Sequence, residues 1–331
     1  MKKNLLIVLL ASISLLSCSD QKSENTLTIY TSLYPEVIAI MKQAAARELP
    51  DLKLDFLQLG SELVAARVNT ELAAGGAKAD IIMTSDPFWY HELKKAGLLE
   101  QIDAPQAGQA PPSLRDPDNY WITNRIPVMV IAYNKNSAVP APTGLADLTD
   151  PEYRGKITMG DPLKSGTNFT TIAVLARTYG WEFIEKLKAN EIMSSGGNSA
   201  TLRRVESMEY PIGVVLLENL LATRRKNTDV EIIYPEDLLI SIPSPIAIMK
   251  GTKNLQAAKR FCDFAFSKAG QEAIIAGYMY SPLPGFAPPA GARPWQEVAA
   301  SMFEWDDTTI DEIGRTREEI KKRFREIMQK D

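Results

Sequence analysis

The chain has 331 residues, of which 45% are hydrophobic and 24% are charged, as expected for a globular protein with a packed core. Its formal net charge of −4 at pH 7 argues against a nucleic-acid partner. The sequence contains one histidine, His91, which excludes a zinc site built from several histidines and a histidine pair for acid–base relay.

The first residues have the pattern of an export signal. Two lysines precede an apolar run of about a dozen residues, whereas a permanent membrane-spanning helix needs about 20. The run ends in Leu-Leu-Ser-Cys, which resembles the lipobox of bacterial lipoproteins, in which the cysteine carries the lipid. We predict a lipoprotein signal peptide over 1–17, lipidation of Cys18 and a flexible linker over 18–26. An ordinary signal that happens to contain a cysteine is the alternative.

Strands and helices alternate from residue 27 onward. The pattern predicts strands over 27–32, 52–60 and 79–85 and helices over 35–49, 61–76 and 86–97. Elements at this spacing form parallel α/β units with right-handed crossovers. Ligands bind at the carboxyl ends of such strands, where the following helices begin.

Small polar residues and a glycine stand at those three strand ends. They are Thr31, Ser32, Gly60, Ser61, Thr84, Ser85 and Asp86. Each can cap the helix that follows or take part in binding a ligand through hydroxyl and backbone donors. Three such ends on one sheet edge favour a ligand site, and capping alone remains the alternative at each position.

A second α/β set follows a connector rich in proline, alanine and glycine. Strands are predicted over 120–134, 155–162, 211–217, 230–237 and 241–250, and helices over 167–180, 181–191, 254–277 and 311–330. Because apolar strands flank this set, we expect the chain to cross twice between two lobes, with a ligand cleft between them.

The stretch from Gly160 to Thr171 contains the glycine, lysine, serine and threonine of a nucleotide-binding loop. Such a loop reads G-x-x-x-x-G-K-[ST], but here Lys164 precedes Gly166. The order excludes that loop, and we expect Lys164 to be solvated.

Several blocks of the sequence, in order, resemble the extracellular solute-binding proteins of ABC importers. They include LTIYTSLYPEVIAIMKQAAARE, ADIIMTSDPFWYHELKKAGLLE, GKITMGDPLKSGTNFTT, VESMEYPIGVV and AAKRFCDFAFSKAGQEAI. The similarity runs from Leu27 to Leu283 and is to the branch of ferric-iron, aminoethylphosphonate, phosphoglycerate and hexose-phosphate receptors. It implies an α/β, two-lobed periplasmic-binding-protein fold of type II. Each lobe would be a mixed sheet flanked by helices, and two crossing hinge strands would join the lobes.

The resemblance also implies how the chain is organised and with what it works. Lobe 1 would span 27–127, lobe 2 would span 128–243, and residues 244–331 would return to lobe 1 and end in helices. The protein would be a monomeric receptor and not an enzyme. From the residues of this chain we expect no cofactor and no metal site. Its partners would be the permease and ATPase of an importer. It would be periplasmic or at the cell surface, held to a bacterial membrane by its N-terminal lipid.

Members of this branch bind different ligands. Its ferric-iron receptors carry adjacent tyrosines on the helix that here contains Glu218 and Asn219, so a paired-phenolate site is not predicted. A ferric-iron receptor that uses Glu218 and scattered tyrosines remains the nearest alternative, and these tyrosines are Tyr30, Tyr34, Tyr90 and Tyr234. The alternative of another class is an exported phosphatase-like enzyme, although the sequence shows nothing evident that would activate a nucleophile.

A small phosphorylated organic molecule of the sugar phosphate, pyridoxal phosphate, phosphoglycerate or phosphonate type fits the sequence better. Its phosphate needs donors from both lobes, because oxygens left unpaired on burial are costly. The predicted ligand-binding residues are Thr31, Ser32, Ser61, Ser85, Arg125, Ser165, Gly166, Thr167, Gly197, Asn198, Ser199, Glu218 and Tyr234.

Three of these residues have distinct expected roles. Arg125 would add a charge-assisted contact, with a surface ion pair as the alternative. Glu218 would accept hydrogen bonds from hydroxyls or an ammonium on the organic part of the ligand, and Tyr234 would stack on a ring. Arg203 and Arg204 are expected on a solvated helix face.

Overall fold

The computed structural model describes residues 26–223 and 229–329. The predicted signal peptide, the lipidation site Cys18 and the linker up to residue 25 lie outside the described residues.

The strands form two mixed sheets. They are β1 (Thr26–Thr31), β2 (Lys53–Gln58), β3 (Ile81–Met83), β4 (Leu99–Glu100), β5 (Ile122–Arg125), β6 (Val128–Asn134), β7 (Ile157–Met159), β8 (Met193–Ser194), β9 (Ile212–Leu216), β10 (Val230–Ile233), β11 (Ile240–Ser241) and β12 (Ser244–Met249). The first sheet has the order β2-β1-β3-β12-β4, with β5 paired to β12, and the second has the order β10-β6-β9-β7-β8, with β11 paired to β6. In the first sheet β1 is parallel to β2 and β3, whereas β12 is antiparallel to β3.

Helices cover both sheets. They are α1 (Pro35–Glu48), α2 (Ser61–Ala73), α3 (Pro87–Lys95), α4 (Gly166–Tyr179), α5 (Trp181–Ala189), α6 (Asn198–Glu206), α7 (Leu217–Thr223), α8 (Leu255–Phe266), α9 (Lys268–Ala276), α10 (Trp295–Ala299), α11 (Asp307–Arg315) and α12 (Arg317–Gln329). We call the first sheet with α1 to α3, α8 and α9 the first lobe, and the second sheet with α4 to α7 the second lobe. The α/β architecture with two mixed sheets is the one predicted from the sequence.

Two prolines divide the strands that pass between the sheets. The sequence predicted one strand over 120–134, but β5 belongs to the first sheet and β6 to the second, with Ile126 and Pro127 between them. Likewise Ile242 and Pro243 separate β11 in the second sheet from β12 in the first. Proline has no N–H to donate to a strand ladder, so each strand ends there. The two connections are joined by a 2.8 Å hydrogen bond from the Ile242 N–H to the Pro127 carbonyl. We propose the boundaries at 127/128 and 243/244 as the limits of the lobes.

The last two helices lie across both lobes. The single helix predicted over 311–330 is broken at Thr316 into α11, which packs on α3, and α12, which packs on α5. Arg317 pairs with Glu62 and Asp86 of the first lobe, and its guanidinium lies 5.1 Å from the ring centroid of Phe169 in the second. The C-terminal helices therefore connect the lobes on a second side, besides the two crossing connections.

An aromatic cluster joins the two cores. The ring of Phe88 on α3 lies 5.8 Å from Phe169 on α4 and 5.9 Å from Trp305, centroid to centroid. These contacts bury apolar surface between the lobes and hold them close together. Over residues 26–223 and 229–329, none of the helices combines the length and apolar character required to cross a membrane.

Candidate functional site

A cavity of about 450 Å³ lies between the lobes at the carboxyl ends of the strands. Ten of the predicted ligand-binding residues line it: Ser32, Ser61, Ser85, Arg125, Ser165, Thr167, Gly197, Asn198, Ser199 and Glu218. They come from both lobes and from chain positions up to 186 residues apart, taking Ser32 and Glu218 as the extremes. The fold therefore brings together most of the set that the sequence suggested.

Three predicted residues do not line this cavity. The Thr31 hydroxyl is buried in the first sheet and donates to the Met83 carbonyl at 2.9 Å. Tyr234 lies in the second lobe under the guanidinium of Arg293, 4.6 Å from its ring centroid, and its hydroxyl accepts from the Arg293 N–H. Gly166 allows the two lobes to approach closely, because a Cβ at this position would come within 2.8 Å of the Ser85 carbonyl oxygen in the first lobe.

Four helices begin at the cavity without a side-chain cap. The residues that precede α1, α2, α4 and α6 are Tyr34, Gly60, Ser165 and Gly197, and all four line the cavity. By contrast, Asp86 caps α3 by accepting from the Trp89 N–H at 3.3 Å. Helix starts carry unpaired N–H donors and partial positive charge, so this wall is suited to an anion.

Arg125 is a buried cation in the first-lobe wall. It is 1% exposed, and no carboxylate of the described residues forms an ion pair with it, which rules out the surface ion pair considered above. Burial lowers the pKa of its guanidinium to about 10, so the group stays charged at neutral pH. Its Nη1 donates to Asn124 Oδ1 at 3.0 Å, and its Nη2 lies 3.3 Å from Ser32 Oγ. A buried charge with only neutral partners is costly, and an anionic ligand would offset that cost.

Serine hydroxyls surround Arg125 on the first-lobe side. The Ser85 N–H donates to Ser32 Oγ and Ser61 Oγ, both at 3.2 Å, and Ser244 Oγ donates to Ser85 Oγ at 2.9 Å. The network fixes the hydroxyl of Ser32 after β1, that of Ser85 after β3 and that of Ser61 at the first position of α2. Ser244, at the start of β12, was not singled out in the sequence because it lies 159 residues from Ser85.

A second network ties together the starts of α4 and α6. Asn198 Nδ2 donates to Thr167 Oγ1 at 3.0 Å, and Asn168 Nδ2 donates to Ser165 Oγ at 3.0 Å. The hydroxyls of Ser165 and Thr167 are 3.1 Å apart and share a hydrogen bond. These side chains bond to one another rather than to the backbone N–H groups of their helices, which leaves those donors facing the cavity. Lys164 is exposed, as expected, and lies 3.5 Å from Asp161.

Glu218 is a buried carboxyl group in the second-lobe wall. It is 4% exposed, and among the described residues its Oε2 has no hydrogen-bond partner. Burial raises its pKa from 4.5 to about 8, with Arg125 acting in the opposite direction. At neutral pH the group is therefore mainly a neutral acid, which offers a donor as well as the acceptor expected from the sequence.

Tyr34 and Asn219 form a hydrogen bond between the lobes beside the cavity. The Tyr34 hydroxyl donates to Asn219 Oδ1 at 3.1 Å, and Asn219 Nδ2 donates to Ser199 Oγ at 3.3 Å. Burial, followed by the nearby Glu218, raises the pKa of Tyr34 to about 12, so its phenol keeps the proton it donates. This bond links the start of α1 in the first lobe to α7 in the second.

Tyr34 and Arg203 line the cavity but were not among the predicted ligand-binding residues. Tyr34 lies between the end of β1 and Pro35 at the start of α1. Its place at such a junction was a sequence signal that it could line the cavity. Arg203 was assigned to a solvated face; it is exposed, but it also lines the cavity. It follows Ser199 by four positions on α6, and this helical spacing puts both residues on one face.

Residues that would hold a metal ion are not grouped in the structure. Within the described ranges, no cluster of three or more His, Cys, Asp or Glu side chains could hold an ion. Of the four tyrosines considered for iron, only Tyr34 lines the cavity. The Tyr30 hydroxyl donates to Glu71 at 2.8 Å, and the Tyr90 hydroxyl accepts from the Thr84 N–H at 2.8 Å.

Comparison with known proteins gives a consistent result for family and fold. Residues 76–308 match the family described as bacterial extracellular solute-binding protein. A probable ABC transporter periplasmic-binding protein of Sinorhizobium fredii is 27% identical over 259 residues, which is 72% of this chain and 69% of the relative.

Two solved structures share the fold. The periplasmic binding protein AfuA of Actinobacillus pleuropneumoniae, with fructose-6-phosphate bound, has a TM-score of 0.81 and 23% identity over 92% of this chain and 99% of its own. Iron-bound HitA of Pseudomonas aeruginosa has a TM-score of 0.78 and 21% identity over 91% of this chain and 99% of its own. At these identities the similarity concerns the fold, and the two structures hold different ligands.

Proposed function

The chain belongs to the family of bacterial extracellular solute-binding proteins, and from this premise we propose that it is the substrate-binding component of an ABC importer. Its ligand is a small phosphorylated organic molecule, held in the cavity between the lobes and delivered to a permease and its ATPase. The proposal draws support from a relative named as an ABC transporter periplasmic-binding protein and from the fructose-6-phosphate held by a protein of the same fold.

The observation that carries the ligand class is the buried Arg125 in the cavity wall. Its hydrogen-bond partners are neutral, and none of the carboxylates among the described residues forms an ion pair with it. A phosphoryl group entering the cavity would supply the missing negative charge and accept charge-assisted hydrogen bonds. A neutral solute would leave the cost of the buried cation uncompensated.

The helix starts from both lobes add to the attraction of the anion. Each contributes about 0.3–1 kcal/mol at exposed sites and up to about 2 kcal/mol where partly buried. The hydroxyls of Ser32, Ser61, Ser85 and Thr167 provide further donors of fixed orientation. Because α2 belongs to the first lobe and α4 and α6 to the second, the phosphoryl group would be fully surrounded only when the lobes are closed.

Ligand capture requires no covalent step. His91, the one histidine in the sequence, lies on α3 with its Nε2 3.1 Å from Asp311, and it does not line the cavity. The hydroxyls in the cavity have amides and other hydroxyls as partners rather than a general base. The arrangement is suited to binding and release.

Calorimetric titration of ligand-free protein tests this proposal. The panel is sugar phosphates, pyridoxal phosphate, phosphoglycerate and aminoethylphosphonate, with the dephosphorylated compounds as controls. We expect at least one phosphorylated compound to bind and its dephosphorylated control to show no heat. The absence of both heat and a melting shift from every phosphorylated compound would refute the ligand class. A red phenolate-to-iron absorption band on adding chelated ferric iron would instead identify an iron receptor.

We further propose that Cys18 carries a lipid that keeps the receptor at the membrane, near its permease. Cell fractionation of the parent protein and the Cys18→Ser variant tests this. The parent should be found in the membrane fraction and the variant in the soluble fraction, and equal distribution of the two would contradict a lipid at this position.

A further inference from the structure

A second cavity adjoins the first. It has a volume of about 490 Å³, and Tyr34, Ser199, Arg203 and Glu218 line both cavities. The two spaces therefore meet at these four side chains.

The second cavity also lies between the lobes. The first lobe forms its wall with α1 and the end of α9, and the second lobe with α6 and α7. Closure of the lobes therefore shapes both cavities together.

The chemistry of the second wall differs from that of the first. The first cavity has Arg125, serines and glycines in its wall besides apolar residues. The second has the buried Val37 and Leu202, with Ile40, Ala222 and Ala276 beside them. The apolar side chains of this wall favour an apolar part of a ligand, because water is released from both surfaces on contact.

The charges also differ. Glu36 and Glu206 line the second cavity, and its cation, Arg203, is shared with the first cavity and exposed. No residue of its wall corresponds to the buried Arg125. A second phosphoryl group is therefore not favoured there.

Glu218 stands where the two spaces meet. Its buried Oε2 has no hydrogen-bond partner among the described residues, and buried polar atoms without partners are rare in folded proteins. A ligand that passes from one cavity into the other would bring a polar group to this atom.

We propose that the second cavity is the subsite for the organic part of the ligand. The ligand is then an amphiphilic phosphate ester, with its phosphoryl group at Arg125, a hydroxyl or amine against Glu218, and an aliphatic or aromatic body in the second cavity. This inference rests on the proposed function, since it takes the phosphoryl group to occupy the first cavity.

A homologous series of alkyl phosphates measures the apolar subsite. Methyl, butyl, hexyl and octyl phosphate are titrated into the full-length protein by calorimetry. Affinity should rise by about fourfold for each methylene that becomes buried, from about 0.8 kcal/mol per methylene. Inorganic phosphate gives the affinity of the first cavity alone.

Two substitutions fill the subsite from opposite lobes. Ala222→Trp on α7 and Ala276→Trp on α9 replace exposed alanines of the second wall, so neither disturbs a buried core. Each should lower the affinity for hexyl phosphate at least tenfold and that for methyl phosphate much less. The control is Ala39→Trp, which places the same side chain at an exposed position of α1 that lines neither cavity, and it should change neither affinity.

The outcomes separate this inference from the proposed function. If the alkyl phosphates bind but affinity does not change with chain length, the subsite is refuted and the phosphoryl site stands. If both tryptophan variants lower the affinities for methyl and hexyl phosphate equally, the effect is on the first cavity and the subsite is refuted. If no phosphate compound binds, the proposed function fails, and the inference fails with it.

Discussion

The two lobes contribute different chemical groups to the cavity wall. The first lobe places a buried cation, Arg125, beside serines that are linked by hydrogen bonds from the Ser85 N–H and the Ser244 hydroxyl. The second lobe offers two helix starts held together by the side chains of Thr167 and Asn198, and a buried carboxyl, Glu218, that burial keeps neutral. The buried charge thus lies in the first lobe, whereas the second lobe contributes neutral donors and the exposed cations Lys164 and Arg203. An anion would engage the first lobe most strongly and be enclosed when the second lobe closes.

Loss of the first-lobe charge should have the largest effect. Arg125→Met should weaken binding of a phosphorylated ligand by about 2–5 kcal/mol, as for a buried hydrogen-bonded charge that loses its partner. Stability of the ligand-free protein should be equal or higher, because an uncompensated buried charge has been removed. Calorimetry gives the first quantity and urea unfolding the second.

Arg125→Lys is the matched control for this substitution. It keeps the charge but loses the planar fork of donors, so its affinity should lie between those of the parent and Arg125→Met. A large loss of stability in ligand-free Arg125→Met would show instead that Arg125 has a structural role.

The buried carboxyl of the second lobe should produce a pH dependence of stability. Because the folded-state pKa of Glu218 is raised from 4.5 to about 8, the folded state binds its proton more strongly than the unfolded state does. The part of the free energy of unfolding that comes from this proton is therefore fully present below pH 4.5. It falls by at most about 1.4 kcal/mol per pH unit as the pH rises towards 8, and it no longer changes above that pH. Glu218→Gln should lack this component.

The difference between the parent protein and Glu218→Gln isolates this group from the other titrating side chains. Urea unfolding at pH 5, 6.5 and 8 should show the variant gaining stability relative to the parent as pH rises. A constant difference across this range would mean that Glu218 is ionised in the folded protein.

The network between the helix starts of the second lobe should make a smaller contribution. Thr167→Ala removes a hydroxyl and leaves the Asn198 amide without its acceptor, so ligand affinity should fall by about 1–3 kcal/mol. Circular dichroism should show an intact fold. Thr167→Ser retains the hydroxyl and should keep most of the affinity, and a loss as large as that of the alanine variant would point to packing of the methyl group instead.

The hydrogen bond between the lobes should contribute least. Tyr34→Phe removes the bond to Asn219, which is worth about 0.5–1.5 kcal/mol, and should shift the ligand-free protein towards an open form. Small-angle scattering would detect this as a larger radius of gyration. Tyr120→Phe, which lies away from the cavity, is the control, and equal radii for both variants would show that this bond does not hold the lobes closed.

The fold could be predicted from the sequence to a large extent, because periodicity and strand ends are local signals. The alternation from residue 27 to 97 and the junctions at Ser32, Ser61 and Ser85 follow from them. The break between β5 and β6 was missed, since 120–134 is largely apolar and Pro127 was taken as part of one strand.

The electrostatics of the site could not be predicted in the same way. The burial of Arg125 depends on partners such as Ser32 and Ser85, which lie 93 and 40 residues away in sequence. The neutral state of Glu218 depends on burial that no local pattern indicates. Tyr234 was predicted to stack on a ring of the ligand, but its own ring packs under Arg293 away from the cavity.

We propose that the cavity recognises a phosphoryl group through Arg125, and this recognition can be measured. It is tested most directly by comparing the affinity of one organic compound with and without its phosphate, in the parent protein and in Arg125→Met, by calorimetry. We expect the phosphorylated form to bind the parent about a hundredfold more tightly or better, and this ratio to fall to near one in the variant. Equal affinities of the two forms in the parent, or a ratio unchanged by Arg125→Met, would contradict it.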